Sequence, residues 1–243
     1  MAFIHGKNAQ FLHGVYNLSP FLNDGSASES VETAETTTFG AASSAKTYIV
    51  GLKDGTLSLS GLFDGSASGV DEIFAASIGS DALAPLSFFP AGDTLGNRVT
   101  LAQAKTTSYD VSSPVGDVVS VKYDAQADGG LDHGVSLAAL TSISATTTGT
   151  ADDNTASTAN GGLAQLHVTV NTRSAAATIK IAHSADNVTF ADLATFTVVP
   201  TVTTTSERVV VATATTVNRY LRAVNTLTAG SGSITYQVSF ARR

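Results

Sequence analysis

The stretch Lys53–Gly65, KDGTLSLSGLFDG, alternates with a period of two between Asp-Gly pairs. Leu57, Leu59, Gly61 and Phe63 fall on one side and Thr56, Ser58 and Ser60 on the other, which commits the segment to a half-buried antiparallel strand. Asp54-Gly55 is expected to turn the chain into this strand and Asp64-Gly65 to turn it out. Directly after it, Ser68 has the chemistry of a helix N-cap. Asp71 follows three residues later, Val70, Ile73, Phe74 and Ile78 share one helical face, and Gly79 is the stop. A strand and a short helix back to back call for a small β-rich core closed by one helix.

The rest of the composition agrees with a β-rich chain. Of 243 residues only 14% are charged and 43% are hydrophobic, and Thr, Ser, Val and Gly dominate, as in strands and tight turns. Such a length accommodates one large β domain or two ordinary ones. With no cysteine, neither a disulfide framework nor a thiolate metal site can form, so stability has to come from packing and assembly. The N-terminus lacks a basic region followed by an apolar run, and no apolar stretch is long enough to span a bilayer, so a protein without membrane contact, made in the cytoplasm, is expected.

Charge is uneven along the chain. Residues 1 to 140 carry six basic and fifteen acidic side chains, net −9, and residues 141 to 243 carry seven and five, net +2. An acidic first region argues against a grip on nucleic-acid phosphates and suits a surface past which DNA slides.

Taken in order, residues 2 to 25 alternate loosely around Phe3, Phe11, Val15, Leu18, Phe21 and Leu22, with Asp24-Gly25 as the first turn. Ser26 to Lys46 has few large apolar residues, three glutamates (Glu29, Glu32, Glu35), the run Thr36-Thr37-Thr38 and the small-residue tract Gly40 to Ala45. It reads as a long loop, and loops of that length in compact domains usually serve a function. Leu86, Phe88 and Phe89 between Pro85 and Pro90, then Val99 and Leu101, Val118 to Asp124, and Gly134 to Leu140 supply further strands. From Thr141 to Gly162 the sequence offers little to bury and marks a linker. Leu166 to Val170, Thr178 to His183, Phe196 to Val199, Arg208 to Val211, Tyr220 to Val224 and Ile234 to Phe240 then recur without a helix signal, the pattern of a β-sandwich. The division expected is 1–140 and 141–243.

Candidate chemistry is sparse. His5, His13, His133, His167 and His183 show no metal-ligand spacing and read as surface or hydrogen-bonded side chains. Asp124, Asp128 and Asp132 around Gly129-Gly130 offer hard oxygen ligands, but the spacing fits no EF-hand and a turn is the simpler reading. Asp71-Glu72 sit where a helix dipole favours carboxylates. No nucleophile elbow, phosphate loop or dinucleotide fingerprint occurs, so the expectation is a protein that is not an enzyme and holds no metal or cofactor.

The N-terminal MAFIHGKNAQ, the acidic ESVETAETTTFG and the strand TLSLSGLFDG together resemble the major tail protein of long-tailed bacteriophages, the tail tube subunit. This resemblance implies a mainly β fold: an N-terminal tail-tube β-sandwich or barrel (1–140) with one short α-helix. It implies rings of six copies stacked into a tube through which DNA passes without specific binding. It implies further contacts with the tape measure, terminator and distal tail proteins, a location in the virion tail, and synthesis in the host cytoplasm. Glu29, Glu32, Glu35, Thr36, Thr37 and Thr38 fall in the loop that reaches the neighbouring ring in such subunits. HSADNVTFADL (His183 to Leu193), with the turn Ala185-Asp186-Asn187 as its hairpin signal, and NRYLRAV (Asn218 to Val224) resemble adjacent strands of Ig-like or carbohydrate-binding-like β-sandwiches, here a 141–243 decoration domain with weak contact to host-surface glycans. The alternatives are a free-standing glycan-binding protein, which the absence of Trp and the presence of only Tyr220 and Tyr236 in that region disfavour, and a hydrolase using Asp71, Glu72 or Asp132.

Overall fold

The computed structural model describes residues 5–38 and 45–243. These residues are mostly strand in antiparallel pairs, with one α-helix among them. After a 3-10 turn at Gly6–Asn8 come β1 (Gln10–His13), β2 (Tyr16–Asn17), β3 (Leu22–Glu35), β4 (Tyr48–Leu62) and α1 (Val70–Ser77). The middle of the chain forms β5 (Ala84–Phe89), β6 (Arg98–Ser112), β7 (Ser120–Ala127), β8 (Asp132–Ile143), β9 (Thr147–Thr148) and β10 (Asp152–Asp153). The remainder forms β11 (Gly162–Asn171), β12 (Ala177–Ser184), β13 (Ala191–Thr195), β14 (Thr205–Val211), β15 (Tyr220–Leu227) and β16 (Ile234–Arg242).

Two compact units result. The larger comprises Met1–Pro20, Ala84–Leu101 and Asp132–Arg243, the smaller Phe21–Leu83 and Ala102–Leu131. The compact units therefore do not divide at 140/141: Leu140 and Thr141 lie together inside β8, which pairs with β16.

In the larger unit β11 pairs with β14 on one side and β16 on the other. Facing them, β12 pairs with β13 and β15, and β9 and β10 add to β15. Leu166, Val168, Ile179, Ile181, Leu221, Val238 and Phe240 fill the space between, forming the expected C-terminal sandwich. Its hairpin at Ala185-Asp186-Asn187 is present, with Asn187 at φ 61° and the Asp186 carboxylate accepting from the Val188 and Thr189 amides, 2.9 Å each.

The reason for the undivided unit lies in β11. All residues from Gly162 to Val168 are buried, so both faces of the strand need a cover. One face meets the opposing sheet, while Leu163 on the other packs with Leu12, Phe89, Val99 and Leu101 from the N-terminal half. The expected linker is likewise structured, since β9 and β10 pair with β15. Small hydroxyl residues fill no core, but their backbones complete a ladder as well as any others. Phe196 to Val199, expected as a strand, follows β13 instead. Phe196 is buried in the core and Val199 bridges Ala177.

The smaller unit is a four-stranded antiparallel sheet in the order β3, β4, β7, β6, with α1 against one face. Leu57, Leu59 and Gly61 are buried as their alternation requires. Phe74 of α1 stacks on Tyr123 at 4.2 Å between ring centroids and lies 5.7 Å from Tyr109. The Tyr109 hydroxyl donates to Asp71 at 2.6 Å, so Asp71 braces the helix on the sheet. Burial first, then this carboxylate, raises the Tyr109 pKa.

Several local expectations are corrected here. Asp24-Gly25 and Asp54-Gly55 are not turns but lie inside β3 and β4. Gly55 is there for proximity rather than for turning, since a Cβ would come within 2.8 Å of Leu131 Cγ. β4 ends at Leu62, which leaves Phe63 exposed rather than in the buried row. The helix is capped by Gly69, not Ser68; Ser68 is left-handed (φ 63°) and its amide donates to the Glu72 carboxylate at 2.6 Å. The helix ends at Ser77, earlier than expected: Ile78 is exposed and already extended, bridging Thr106, and Gly79 follows at φ +70°.

Candidate assembly surface

Residues 26 to 35, expected within a structureless loop, form the greater part of β3, one strand of an extended β-hairpin, while 36 to 38 and 45 to 46 lie beyond the strand ends. β3 pairs with β4 from Leu22↔Gly61 to Glu35↔Tyr48. Its outer half carries no alternation in the sequence because neither face there is buried: from Ser28 onward every β3 residue is exposed. Without a buried face a strand needs no apolar alternation, and its pairing rests on the backbone ladder. Part of the tract Gly40 to Ala45 lies outside the described residues.

Cross-strand contacts stiffen this arm. Lys53 pairs with Glu29 at 3.6 Å and Lys46 with Glu35 at 2.8 Å, both exposed and each worth at most about 1 kcal/mol. The Thr36 amide donates to the Thr47 carbonyl at 2.8 Å and the Thr47 amide to Thr37 Oγ1 at 3.0 Å. Glu29, Glu32 and Glu35 thus lie on β3, and Thr36, Thr37 and Thr38 lead out of its end.

A bulge interrupts the ladder, with Val31 opposite Lys53 but Thr33 opposite Val50. The extra residue on β4 bends and twists the ribbon and re-aims its side chains. It also sets Val50 and Tyr48 on the side that carries Ala27, Leu57 and Leu59 near α1 and Val31 further out, with Glu29, Lys53, Thr33 and Glu35 interleaved among them. Tyr48, Ile49, Val50 and Leu52 are each more than half exposed. The sequence signal for these exposed residues is YIVGL, Tyr48 to Leu52, an apolar run with no counterpart in β3.

The sheet face away from α1 has a different character. Pairing aligns Ser26, Ser58, Asp124 and Ser108 across all four strands, with Asp24, Ser60, Lys122 and Asp110 in the next row. Asp124 accepts from Ser58 at 2.5 Å and Ser108 at 3.0 Å and pairs with Lys122 at 3.1 Å. The Ser58 hydroxyl, foremost, and Lys122 hold its carboxyl below the usual range against the opposing effect of burial. The smaller unit holds thirteen acidic and four basic side chains, net −9, and the larger seven and nine, net +2. All of the excess negative charge therefore belongs to the arm-bearing sheet unit.

The remaining candidates are occupied structurally. Asp132 binds Arg208 and Arg243, the amide of Asp128 donates to the Gln103 carbonyl, and Gly129 and Gly130 turn the chain at φ 84° and 81°. No group of three potential ligands for a metal occurs among the described residues. Tyr236 is a core residue whose hydroxyl accepts from Asn225 at 2.9 Å, and Tyr220 lies under the Arg219 guanidinium at 4.9 Å. The sandwich thus offers no row of exposed tyrosines among the described residues. His13 and His167 are buried, while His5 and His133 are exposed. No described helix is long and apolar enough to cross a membrane.

No protein family model matches the chain, and no curated protein matches it. Among solved structures, it aligns with one described as the virion of a native gene transfer agent particle, at 16% identity and TM-score 0.44, over 54% of this chain and 98% of that one. It aligns with the SPP1 tail tube at 10% identity and TM-score 0.40, over 54% and 78%. A third alignment, with the SPP1 Dit protein of a hub adsorption apparatus in Gram-positive-infecting phages, spans 96% of this chain and 98% of that one at 12% identity and TM-score 0.39. At these scores the likeness assigns neither a fold nor a role to any residue.

Proposed function

We propose that the chain is a phage tail tube subunit, forming rings that stack into a conduit for the genome. The observation that carries this reading is the construction of the smaller unit. Its sheet has one face sealed by α1, the other uncovered and set with hydroxyls and carboxylates, and a 14-residue edge strand, β3, that among the described residues pairs only with β4. A long unpaired strand edge is a template for another chain, and soluble proteins keep one where assembly uses it. Joining such edges around a ring removes them from solvent and turns the polar faces toward a common centre.

In this reading the acidic balance of the unit serves the conduit, because like charge keeps DNA from sticking to the wall. The arm reaches the next ring, in keeping with the resemblance of ESVETAETTTFG to tube subunits, and six copies per ring follow from the same resemblance. The C-terminal sandwich serves as decoration. Tape measure, terminator and distal tail proteins would be its other partners.

Negative-stain electron microscopy of concentrated protein, with mass by light scattering, tests the proposal. Rings or hollow tubes are expected. A monodisperse monomer at high concentration, both alone and with an added tail initiator complex, would overturn it.

A further inference from the structure

We infer that the interior of the larger unit binds one ordered water, held by the side-chain carbonyls of Gln165 and Gln237 and by the hydroxyl of Ser239.

Strand register assembles the site. On the β11–β16 pair Gln165 stands opposite Ser239 and His167 opposite Gln237, and Ser136 of β8 stands opposite Ser239 on the far side of β16. Their chain neighbours Leu166, Val238 and Phe240 point into the sandwich core, so by alternation these side chains share the other face of the sheet. Leu163 and Ala241 border them there, within the apolar cluster that includes Leu12 and Phe89. Ser87, Ser136, Gln165, His167, Gln237 and Ser239 are all 0% exposed. A polar layer so far from solvent is costly unless each of its groups finds a partner.

Most of them do. The Gln165 amide donates to the Leu86 carbonyl and to Ser87 Oγ, and His167 is held between Ser87 and the Gly14 carbonyl. The Gln237 amide donates to Ser239 Oγ at 2.6 Å and to Ser136 Oγ at 3.4 Å, and the Ser136 hydroxyl donates to the Asp93 carbonyl. Gln165 Oε1 and Gln237 Oε1 are then left without a donor. Ser239 Oγ accepts from Gln237, and its own proton has no acceptor among the described residues. Turning the amides over does not help. A flipped Gln165 would set its oxygen against the Leu86 carbonyl oxygen, and a flipped Gln237 would strand its amide hydrogens instead of its oxygen.

Two free acceptors and one free donor are the complement of a water molecule, which donates twice and here accepts once. Internal waters make about three hydrogen bonds to buried polar groups. Gln165 and Gln237 are diagonal neighbours across the strand pair, about 7–8 Å apart, a separation that two glutamine side chains and one bridging water span. With the water in place every polar group of the two glutamines is paired, and the layer links β11 to β16 through side chains as well as through the backbone ladder.

A high-resolution crystal structure of the full chain tests the site. The expected result is a density peak within about 3.2 Å of Gln165 Oε1, Gln237 Oε1 and Ser239 Oγ. A map with no peak bridging the two carbonyls, or with either carbonyl on a protein donor, would overturn the inference. Oxygen-17 relaxation dispersion, which counts waters held inside a protein in solution, gives a second measurement. Gln237→Met keeps the length of the side chain and removes one of the two carbonyls, so the variant should hold one long-lived water fewer than the wild type. An unchanged count would contradict the site as firmly as an empty map.

Discussion

Ser87 Oγ lies 2.8 Å from His167 Nε2 in the interior of the larger unit, both side chains wholly buried. The other ring nitrogen, Nδ1, lies 2.7 Å from the Gly14 carbonyl oxygen. A carbonyl only accepts, so Nδ1 carries the proton and Nε2 accepts from Ser87. Gln165 extends the network by donating to the Leu86 carbonyl at 2.9 Å and to Ser87 Oγ at 2.8 Å. This polar seam joins β11 to β5 and to the turn after β1, where an apolar pair would have no preference of register.

Acid should weaken the larger unit through its buried imidazoles. Burial lowers both His13 and His167 from 6.5 to about 4. Between those values the unfolded chain binds protons that the folded one refuses. Stability is therefore complete above about pH 6.5 and falls as pH drops toward 4, by on the order of 1 kcal/mol per pH unit for each histidine. Urea midpoints measured across this window should decline steadily. A midpoint that stays level from pH 7 to about 4.5 would show that these imidazoles are not held neutral.

Gly61→Ala should dislodge the base of the arm. A Cβ at this position would stand 2.2 Å from the Phe21 carbonyl oxygen and 2.9 Å from Leu22 Cα, backbone atoms that have no rotamer to retreat into. Overpacking of this kind costs about 1–3 kcal/mol or more. Thermal melting should register the loss, and amide exchange should place it in β3.

The two arginines on Asp132 should behave unequally. Arg208 meets Oδ2 at 2.7 Å with its side chain 7% exposed, whereas Arg243 reaches Oδ1 at 3.1 Å with its side chain 42% exposed. Removing Arg208 leaves Asp132 held by the exposed Arg243 alone and takes away a buried charge-assisted hydrogen bond, so Arg208→Ala should cost about 1.5–3 kcal/mol. Arg243→Ala should cost under about 1 kcal/mol. Chemical denaturation of both variants checks the ratio, and equal losses would contradict it.

Assembly and folding should separate at the arm. Val50→Asp with Leu52→Asp alters side chains already in solvent, so the melting temperature of the subunit should hardly move. Sedimentation and microscopy should show loss of tubes, as should deletion of Glu29 to Ser44. Normal elongation by either variant would remove the arm from the assembly surface.

Much of the architecture was legible because strand alternation and burial are two statements of one periodicity. Leu57, Leu59 and Gly61 read as a buried row, Val70, Ile73 and Phe74 as a helix face, and the six C-terminal segments as a sandwich, with only Phe196 to Val199 displaced from its strand. Asp186-Asn187 announced its hairpin because an Asx side chain bonds its own turn. What the sequence could not disclose depended on partners distant along the chain. Gly55 and Gly61 look like turn or filler residues until Leu131 and the Phe21 carbonyl are found against them. Residues 26 to 35 look like loop because an exposed strand carries no burial signal of its own. The 140/141 boundary looked natural because charge and composition change there, but β11 is buried on both faces and one cover comes from β1 and β5. Local pattern settled what each segment prefers; only the tertiary structure decided which segments seal one another and which apolar side chains, Tyr48 and Val50 foremost, the single chain leaves unsealed.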